Sequence, residues 1–537
     1  MDFGLKRLSI RSFSDYYTFT MSNDSFIELN EHFVWALEKI QLGENIFITG
    51  RAGTGKSTLL HYFCSQSKKP IVILAPTGVA AVNVKGQTIH HFFGFGPGIT
   101  LGKVKKRISA EKKKLFEKLT TIIIDEISMV RADLLDCIDA FLRFHGSQKN
   151  KPFGGVQMVF IGDLYQLPPV VTSQDRYTFS QLYESPYFFS ARSFEALEMT
   201  FIELEKVYRQ KDVGFIQMLN AIRNKTAEAG DYQKINERHD PDFEPPEGEL
   251  YISLTSTNAD ADKINDKEMQ KLSGTDVVFR GDVEGDFPPA YLPAPLVMKI
   301  RKGAQIMMLN NDSGGRWVNG TVGKIINIIC AGSSEPEMVE IQLSDGVTHF
   351  VTYNTWDVYH FYLKNGEIDS KKVGFFTQFP FRIAFAVTIH KAQGKTFDKL
   401  IIDIGRGTFA HGQMYVALSR ATSLEGIVLR KPVLPQHVWL DWAIVSFLTK
   451  YQYAQSAKQL STEDKVGLIE QAITTSQNLE IIYLKAKDVK SHRTIRPQSV
   501  GEMDYKGVTF LGLSAYCLMR KQARHFNVEK ILEMKIV

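Results

Sequence analysis

Cysteine is scarce in this chain, with four in 537 residues. Cys64, Cys137, Cys330 and Cys517 stand far apart and form no C-x-x-C pair. That excludes a disulfide framework and a cysteine zinc site, and it fits a reducing compartment. No apolar run approaches the ~18 residues needed to span a bilayer. A targeting signal is lacking too. Lys6 and Arg7 precede no sustained apolar stretch, and Asp2 and Asp15 count against a transit peptide. There is no H-E-x-x-H and no Cys/His set with metal-ligand spacing. Hydrophobic residues make up 44% and charged residues 23%. That balance excludes a mostly disordered chain, a collagen and a coiled-coil rod. At ~150 residues per domain the length suggests three or four domains.

Charge is unevenly placed. Residues 480–537 hold 11 Lys and Arg against 6 Asp and Glu, which accounts for the whole net charge of +5. The first 479 residues balance. The tail is therefore either an anion- or nucleic-acid-facing module or a solubilising surface. Residues 1–24 read as a loose polar tail in which Met21 is an alternative start.

The most specific signal is IFITGRAGTGKSTLL, residues 46–60. An apolar strand runs into Gly50-x4-Gly55-Lys56-Ser57, and a helical run follows. This is a phosphate-binding P-loop in its strand–loop–helix context. Glycines let backbone N–H groups wrap phosphates, and the helix N-terminus adds positive potential. Lys56 places a point charge on the terminal phosphates, and Ser57 holds Mg²⁺. A second apolar strand, Ile122–Ile124, ends in Asp125-Glu126. Ligands bind at the carboxyl ends of parallel strands, so Asp125 is expected to help hold Mg²⁺ and Glu126 to orient the attacking water. A third strand ends in Gly162-Asp163 with Gln166 beyond it. An uncharged amide there would report whether ATP or ADP is bound.

Together with further strings, these resemble superfamily-1 helicases, specifically the Pif family on the RecD-related branch that moves 5′→3′ on DNA. Ala75-Pro-Thr-Gly-Val-Ala-Ala81 resembles motif Ia, and Thr88-Ile-His-His-Phe-Phe93 resembles the DNA-contact motif after it. Glu203–Gln210 resembles motif IV, and Asp212–Arg223 is the segment most particular to Pif-type proteins. Thr388–Thr396 resembles motif V and Gln413–Ala421 motif VI. The resemblance spans about residues 25–448. It implies an α/β fold of two RecA-like P-loop lobes, 25–200 and 201–448. It also implies a small wedge insertion near 92–118 and an inserted β-barrel near 324–380.

The resemblance implies ATP and Mg²⁺ as cofactors and single-stranded and tailed duplex DNA as partners, with G-quadruplex DNA a further candidate. It places the protein, as a monomer, in DNA replication, repair, recombination and telomere maintenance at the nucleoid of a bacterial cytoplasm. Lys56, Asp125, Glu126, Gln166, Arg209 and Arg420 are the implied catalytic residues. Gly50, Ala52, Gly53, Thr54, Gly55, Lys56, Ser57, Thr58 and Gly394 are the implied nucleotide contacts. Tyr208 either stacks on adenine or packs at the lobe surface. This branch usually carries an adenine-reading glutamine before the P-loop; Phe33 stands there, and Asn30 is the substitute. Thr77, Thr88 and Thr388 fall at phosphate-contact positions, while His90, Phe92 and His390 supply planar groups for stacking. Of Phe92 and Phe93, one is expected in the core.

Residues 94–118 combine a glycine loop with a basic run from Lys103 to Lys114. It is read either as a solvated helix face or as the wedge. Residues 449–461 read as a linker. Residues 462–537 resemble a bacterial WYL domain through Arg493-x-Ile495-x-Pro497 and Arg524-x-Phe526, with Thr509-Phe-Leu511 at the name-giving triplet. Arg493, Arg496 and Arg524 are expected either to contact DNA on one face of a small barrel or to dock that barrel on the motor. The function expected is an ATP-dependent 5′→3′ DNA helicase. The rivals are a DNA-stimulated ATPase that unwinds little and a nucleotide-gated DNA-binding regulator.

Overall fold

The computed structural model describes residues 17–20 and 26–537, save 68–70, 97, 331–336, 365–366, 406, 409, 486 and 506. The expected N-terminal tail thus lies outside the described residues, apart from Tyr17–Thr20, which pairs antiparallel with Phe26–Leu29.

Six parallel strands build the first sheet, in the order Gln87–Thr88, Ile71–Ala75, Thr121–Ile124, Gln157–Ile161, Asn45–Gly50 and Met199–Leu204. Both of its faces are buried, which is why its strands read as continuous apolar runs. Ile46, Ile48 and Ile123 face one core with Phe33 and Leu59. Phe47, Ile122 and Ile124 face the other. The boundary expected near Phe201 falls inside the sixth strand. Phe201, Ile202 and Leu204 are buried there, and the strand pairs with the P-loop strand over its whole length.

The second sheet has four parallel strands, ordered Ala386–Thr388, Ile252–Thr255, Leu400–Asp403 and Ile427–Leu429. Between its first two strands in sequence the chain leaves to form antiparallel structure. That structure includes a five-stranded sheet from Gln305–Met308 to Phe381–Ile383 and a three-stranded sheet in which Asn354–Lys364 and Glu367–Gln378 form a long ribbon. The antiparallel region begins at Val277, well before the expected residue 324. The early strands are short and broken by turns, so their period-2 signal is weak.

The segment expected as a linker is mostly helix, Trp442–Gln459, with Asp441 as N-cap accepting from Ala443 N at 3.0 Å. Val445, Leu448, Gln452 and Ser456 fall at helical spacing and are buried. Two of those four are polar, which hides the helical pattern from a hydrophobic reading. A second helix, Thr462–Thr474, opens on a capping box at Ser461 and Asp464. It packs on a five-stranded antiparallel sheet, ordered Gln522–Asn527, Val508–Cys517, Val489–Tyr505, Leu479–Lys485 and Ile531–Ile536. This region has its own core around Ile469, Leu479, Ile495, Leu513 and Phe526. All four cysteines are free, and among the described residues no helix is long and apolar enough to cross a membrane.

Candidate active site

The P-loop strand delivers its turn to the carboxyl edge of the first sheet. Gly53 and Gly55 adopt φ of 80° and 86°, which L side chains rarely hold. A Cβ on Gly53 would lie 2.6 Å from Arg209 Cβ, so glycine also lets the segment after the sixth strand pass over the loop. Lys56 opens the helix Lys56–Gln66 and folds its ammonium onto the carbonyls of Gly50 and Arg51, at 2.7 and 3.0 Å. Burial lowers its pKa, against the pull of Asp163 and Glu126. The loop thus presents a desolvated cation held only by dipoles.

Asp125 and Glu126 follow the strand Thr121–Ile124, which lies next but one to the P-loop strand. Burial raises both carboxyl pKa values, and for Glu126 the adjacent Asp125 adds to the rise. Glu126 sits in the left-handed region at φ 51° and ψ 42°. That conformation costs roughly 1–2 kcal/mol for a residue with a Cβ. The strain is located where a side chain must be aimed into the cleft. Gln166 is buried. It donates to Asp163 Oδ2 at 3.1 Å and accepts from Gln393 Nε2 at 3.0 Å. Gln393 also lies 3.4 Å from Glu126 Oε2. It comes from the second lobe, inside the motif V string, and so links the two acid-and-amide positions across the cleft. Sequence reasoning quoted that string but gave Gln393 no role. Its signal was its place beside Gly394 in the motif.

Arg209 and Arg420 face the same cleft. Arg420 is 1% exposed and donates to Val416 O, Lys395 O and Ser419 Oγ. Its pKa is pushed down to about 9 by burial and then by Arg209. Arg209 donates to Ser419 O at 3.1 Å and Gly394 O at 3.4 Å, and burial lowers its pKa. Among the described residues neither forms an ion pair with a carboxylate. Tyr415 accepts from the P-loop at Ala52 N, 3.0 Å, so the lobes already touch. The resulting cleft of about 640 Å³ is lined by Ala52, Gly53, Thr54, Gly55, Lys56, Ser57, Thr58, Glu126, Gln166, Tyr208, Arg209, Gly394 and Arg420, with Phe33 and Thr396.

The adenine side differs from expectation. Asn30 caps the helix Glu31–Gln41 by accepting from Phe33 N at 2.9 Å, and its amide donates to Tyr208 Oη at 3.1 Å. It does not line the cleft, because capping and Tyr208 occupy both ends of its side-chain amide. Phe33 lines it instead, beside Gly55. Tyr208 is 40% exposed, with its backbone N–H on Gly53 O at 2.8 Å.

The expected DNA residues divide. Thr77 is exposed and caps its helix. Thr88 and Thr388 are buried, Thr88 accepting from His91 N and touching Tyr291 Oη, Thr388 accepting from Lys391 N. His90 and His390 are half-buried, and burial lowers both imidazole pKa values. Phe92 is no stacking platform. It and Phe93 are both buried in one aromatic core with Phe116. The basic run is split. Only Ala110–Lys118 is α-helical, anchored by buried Leu115 and Phe116; Lys103 ends a short 3-10 turn, Leu101–Lys103, and Lys105 to Arg107 lie between the two.

In the C-terminal domain Arg493 is buried and reaches Cys517 Sγ, whereas Arg496 and Arg524 are exposed. Three arginines on one surface are therefore excluded. Residues 493 and 496 lie on opposite sides of one strand, because successive side chains alternate. None of the three docks the domain. Docking falls to Asp488, which accepts from Tyr165 Oη at 3.0 Å and Gln452 Nε2 at 2.8 Å. Lys490 adds ion pairs to Glu203 and Glu205 at 2.9 and 2.7 Å.

A P-loop, paired strand-end carboxylates, Arg209 just after the last strand of the first sheet and Arg420 from between two strands of the second define a two-lobed P-loop motor with a RecA-like core. The family model of PIF1-like helicases matches residues 30–232. The human ATP-dependent DNA helicase PIF1 is 31% identical over 476 residues, covering 85% of this chain and 68% of that one. Bacteroides sp Pif1 in complex with ADP-AlF4 superposes with a TM-score of 0.74 at 37% identity, covering 79% of this chain and 97% of that one. Bacteroides Pif1 bound to ssDNA gives a TM-score of 0.58 at 37% identity over the same shares. The chain belongs to the PIF1-like helicase family.

Proposed function

We propose that this chain is an ATP-dependent DNA helicase that moves 5′→3′ along single-stranded DNA. The observation that carries the reading is the pair Arg209, half-buried, and Arg420, fully buried, which face the P-loop cleft and, among the described residues, form no ion pair with a carboxylate. A buried cation without a partner is costly, and an anion in the cleft removes the cost. The γ-phosphate is that anion. Lys56 would leave the Gly50 and Arg51 carbonyls for the β- and γ-phosphates. Glu126, with its raised pKa, would hold the attacking water and take its proton. Gln166 and Gln393 would sense the γ-phosphate from the two lobes. Ser57 and Asp125 offer the hard oxygen donors that suit Mg²⁺, which would draw charge from the phosphates when bound with the nucleotide.

Closure on ATP and reopening after hydrolysis would then ratchet single-stranded DNA past Thr77, Thr88, His90, Thr388 and His390. In this reading the first lobe runs from residue 25 to 204 and carries the wedge near 92–118. The second carries the antiparallel, barrel-like insertion over 277–383. We take residues 462–537 as a WYL-like domain whose Arg496 and Arg524 add a second DNA contact. Bacteroides Pif1 bound to ssDNA supports the choice of substrate by analogy. The test is unwinding of duplexes with either a 5′ or a 3′ single-stranded tail. ATP-dependent unwinding from the 5′ tail alone is expected. Unwinding from the 3′ tail would overturn the polarity, and none from either would leave only an ATPase.

A further inference from the structure

Outside the lining of the nucleotide cleft, three side chains from distant parts of the chain converge. His91 stands on the short helix after Thr88 in the first lobe. Asp286 follows the strand Asp282–Gly285, and His360 lies on the long ribbon strand Asn354–Lys364, both in the insertion of the second lobe. His91 Nε2 and His360 Nε2 are 2.9 Å apart. Asp286 Oδ2 is 4.0 Å from the first and 3.7 Å from the second.

These distances form an acute triangle. The separations bracket the ~3.4 Å expected between ligand atoms that each lie ~2.1 Å from a tetrahedral Zn²⁺, so a small turn of the exposed Asp286 carboxylate would complete the set. The donors are two imidazoles and one carboxylate, a set that suits Zn²⁺ and its neighbours rather than Mg²⁺ or Ca²⁺. The backbone fixes the carboxylate. Asp286 N donates to Val373 O at 3.0 Å, and Gly374 packs so close that a Cβ would lie 2.7 Å from Asp286 C.

We propose that His91, Asp286 and His360 form a site for a divalent transition metal of the Zn²⁺ class, which pins the insertion of the second lobe onto the first. Three protein ligands leave a fourth position for water or a phosphate oxygen. The site is built for moderate affinity. His91 Nδ1 is buried without a hydrogen-bond partner, so the ring lacks the outer acceptor that raises ligand basicity. Lys112 also faces both rings, and Lys371 faces His360. A site of this kind fills and empties with metal supply.

The test is a Co²⁺ absorption titration of the full chain in excess Mg²⁺, with His360→Ala and Asp286→Asn alongside. One saturable Co²⁺ per chain with visible ligand-field bands is expected, weakened at least tenfold in both variants. Co²⁺ should raise the melting temperature of the parent chain but not of the variants. Asp286 is largely exposed, so Asp286→Asn keeps the test open if His360→Ala folds poorly. Equal Co²⁺ binding by the parent and Asp286→Asn, or no saturable binding by the parent, would overturn the proposal.

Discussion

The cleft between the lobes and the seam beneath the C-terminal domain bury charge in opposite ways. In the cleft, half-buried Lys56 and Arg209 and buried Arg420 hydrogen-bond, among the described residues, to carbonyls and a hydroxyl and form no ion pair. At the seam, charges meet partners. Lys490 pairs with Glu203 and Glu205, Arg223 with Asp163 at 3.6 Å, and Asp488 takes two donors. An unpaired buried charge is a place kept for a ligand, whereas a paired one holds structure together. Removing Arg420 should therefore harm activity, and removing Lys490 stability.

The largest effect is expected from Arg420→Ala. DNA-stimulated ATP hydrolysis should fall ~10³-fold or more, the usual worth of an arginine finger. The melting temperature should hold or rise, because the variant removes an uncompensated buried cation. A fall of several degrees with intact turnover would place Arg420 with the structural charges. Glu126→Gln comes next, with a loss of ~10²–10⁴ in turnover and nucleotide binding retained. Its measure is single-turnover hydrolysis beside binding of a fluorescent ATP analogue. Loss of binding would show Glu126 to be a contact rather than a water-holding base.

The cleft was the legible part of the molecule. Ala52 through Thr58, Glu126, Gln166 and Arg420, expected from short strings with set offsets, line one cleft, because backbone and charge demands act locally there. The seam was not legible. Asp488 and Lys490 find Tyr165, Gln452 and Glu203 across long sequence separations, and no local pattern announces such pairs. The helix Trp442–Gln459 looked like a linker for the same reason: Gln452 and Ser456 are buried against Asp488 and Leu532 O, which only the fold brings near. Phe92 sat in a DNA-contact motif, yet the aromatic core of the first lobe claimed it.

Lys490→Ala tests the seam directly. Burial opposes ionisation of Glu203, but Lys490 and Arg223 outweigh it and hold that carboxyl below its ordinary range. Removing Lys490 leaves Glu203 near the interface without its closest cation. A loss of about 1–3 kcal/mol in docking is expected, as for a charged hydrogen bond left unmade. Limited proteolysis near residue 460 would read it as faster release of the C-terminal domain. ATP hydrolysis without DNA should change far less than in Arg420→Ala.

The smallest effect separates two substitutions at one position. Asp488 stands at φ 56° in the turn between two strands, next to Lys487 at 62°. Burial and then Glu203 push its pKa up to about 6. The folded state thus binds a proton that an unfolded aspartate, with a pKa near ~3.9, has already lost. Stability from this group is full at low pH and falls as pH rises between about 4 and 6; above that the cost is constant, on the order of 2–3 kcal/mol. Asp488→Asn removes the charge, suits the left-handed turn and still accepts from Tyr165. Its amide can donate to Gln452 Oε1, which is buried without a partner, once the Gln452 amide turns over. Asp488→Ala strands Tyr165 and Gln452 and strains the turn. Asn should therefore match or exceed the parent in melting temperature at pH 7 and lose the parent's stabilisation on acidification from pH 6 to 4, while Ala should melt lower at every pH. If Asn is as damaging as Ala, the charge of Asp488 is paired well enough to be favourable, and the seam would hold by attraction where a neutral amide could not serve.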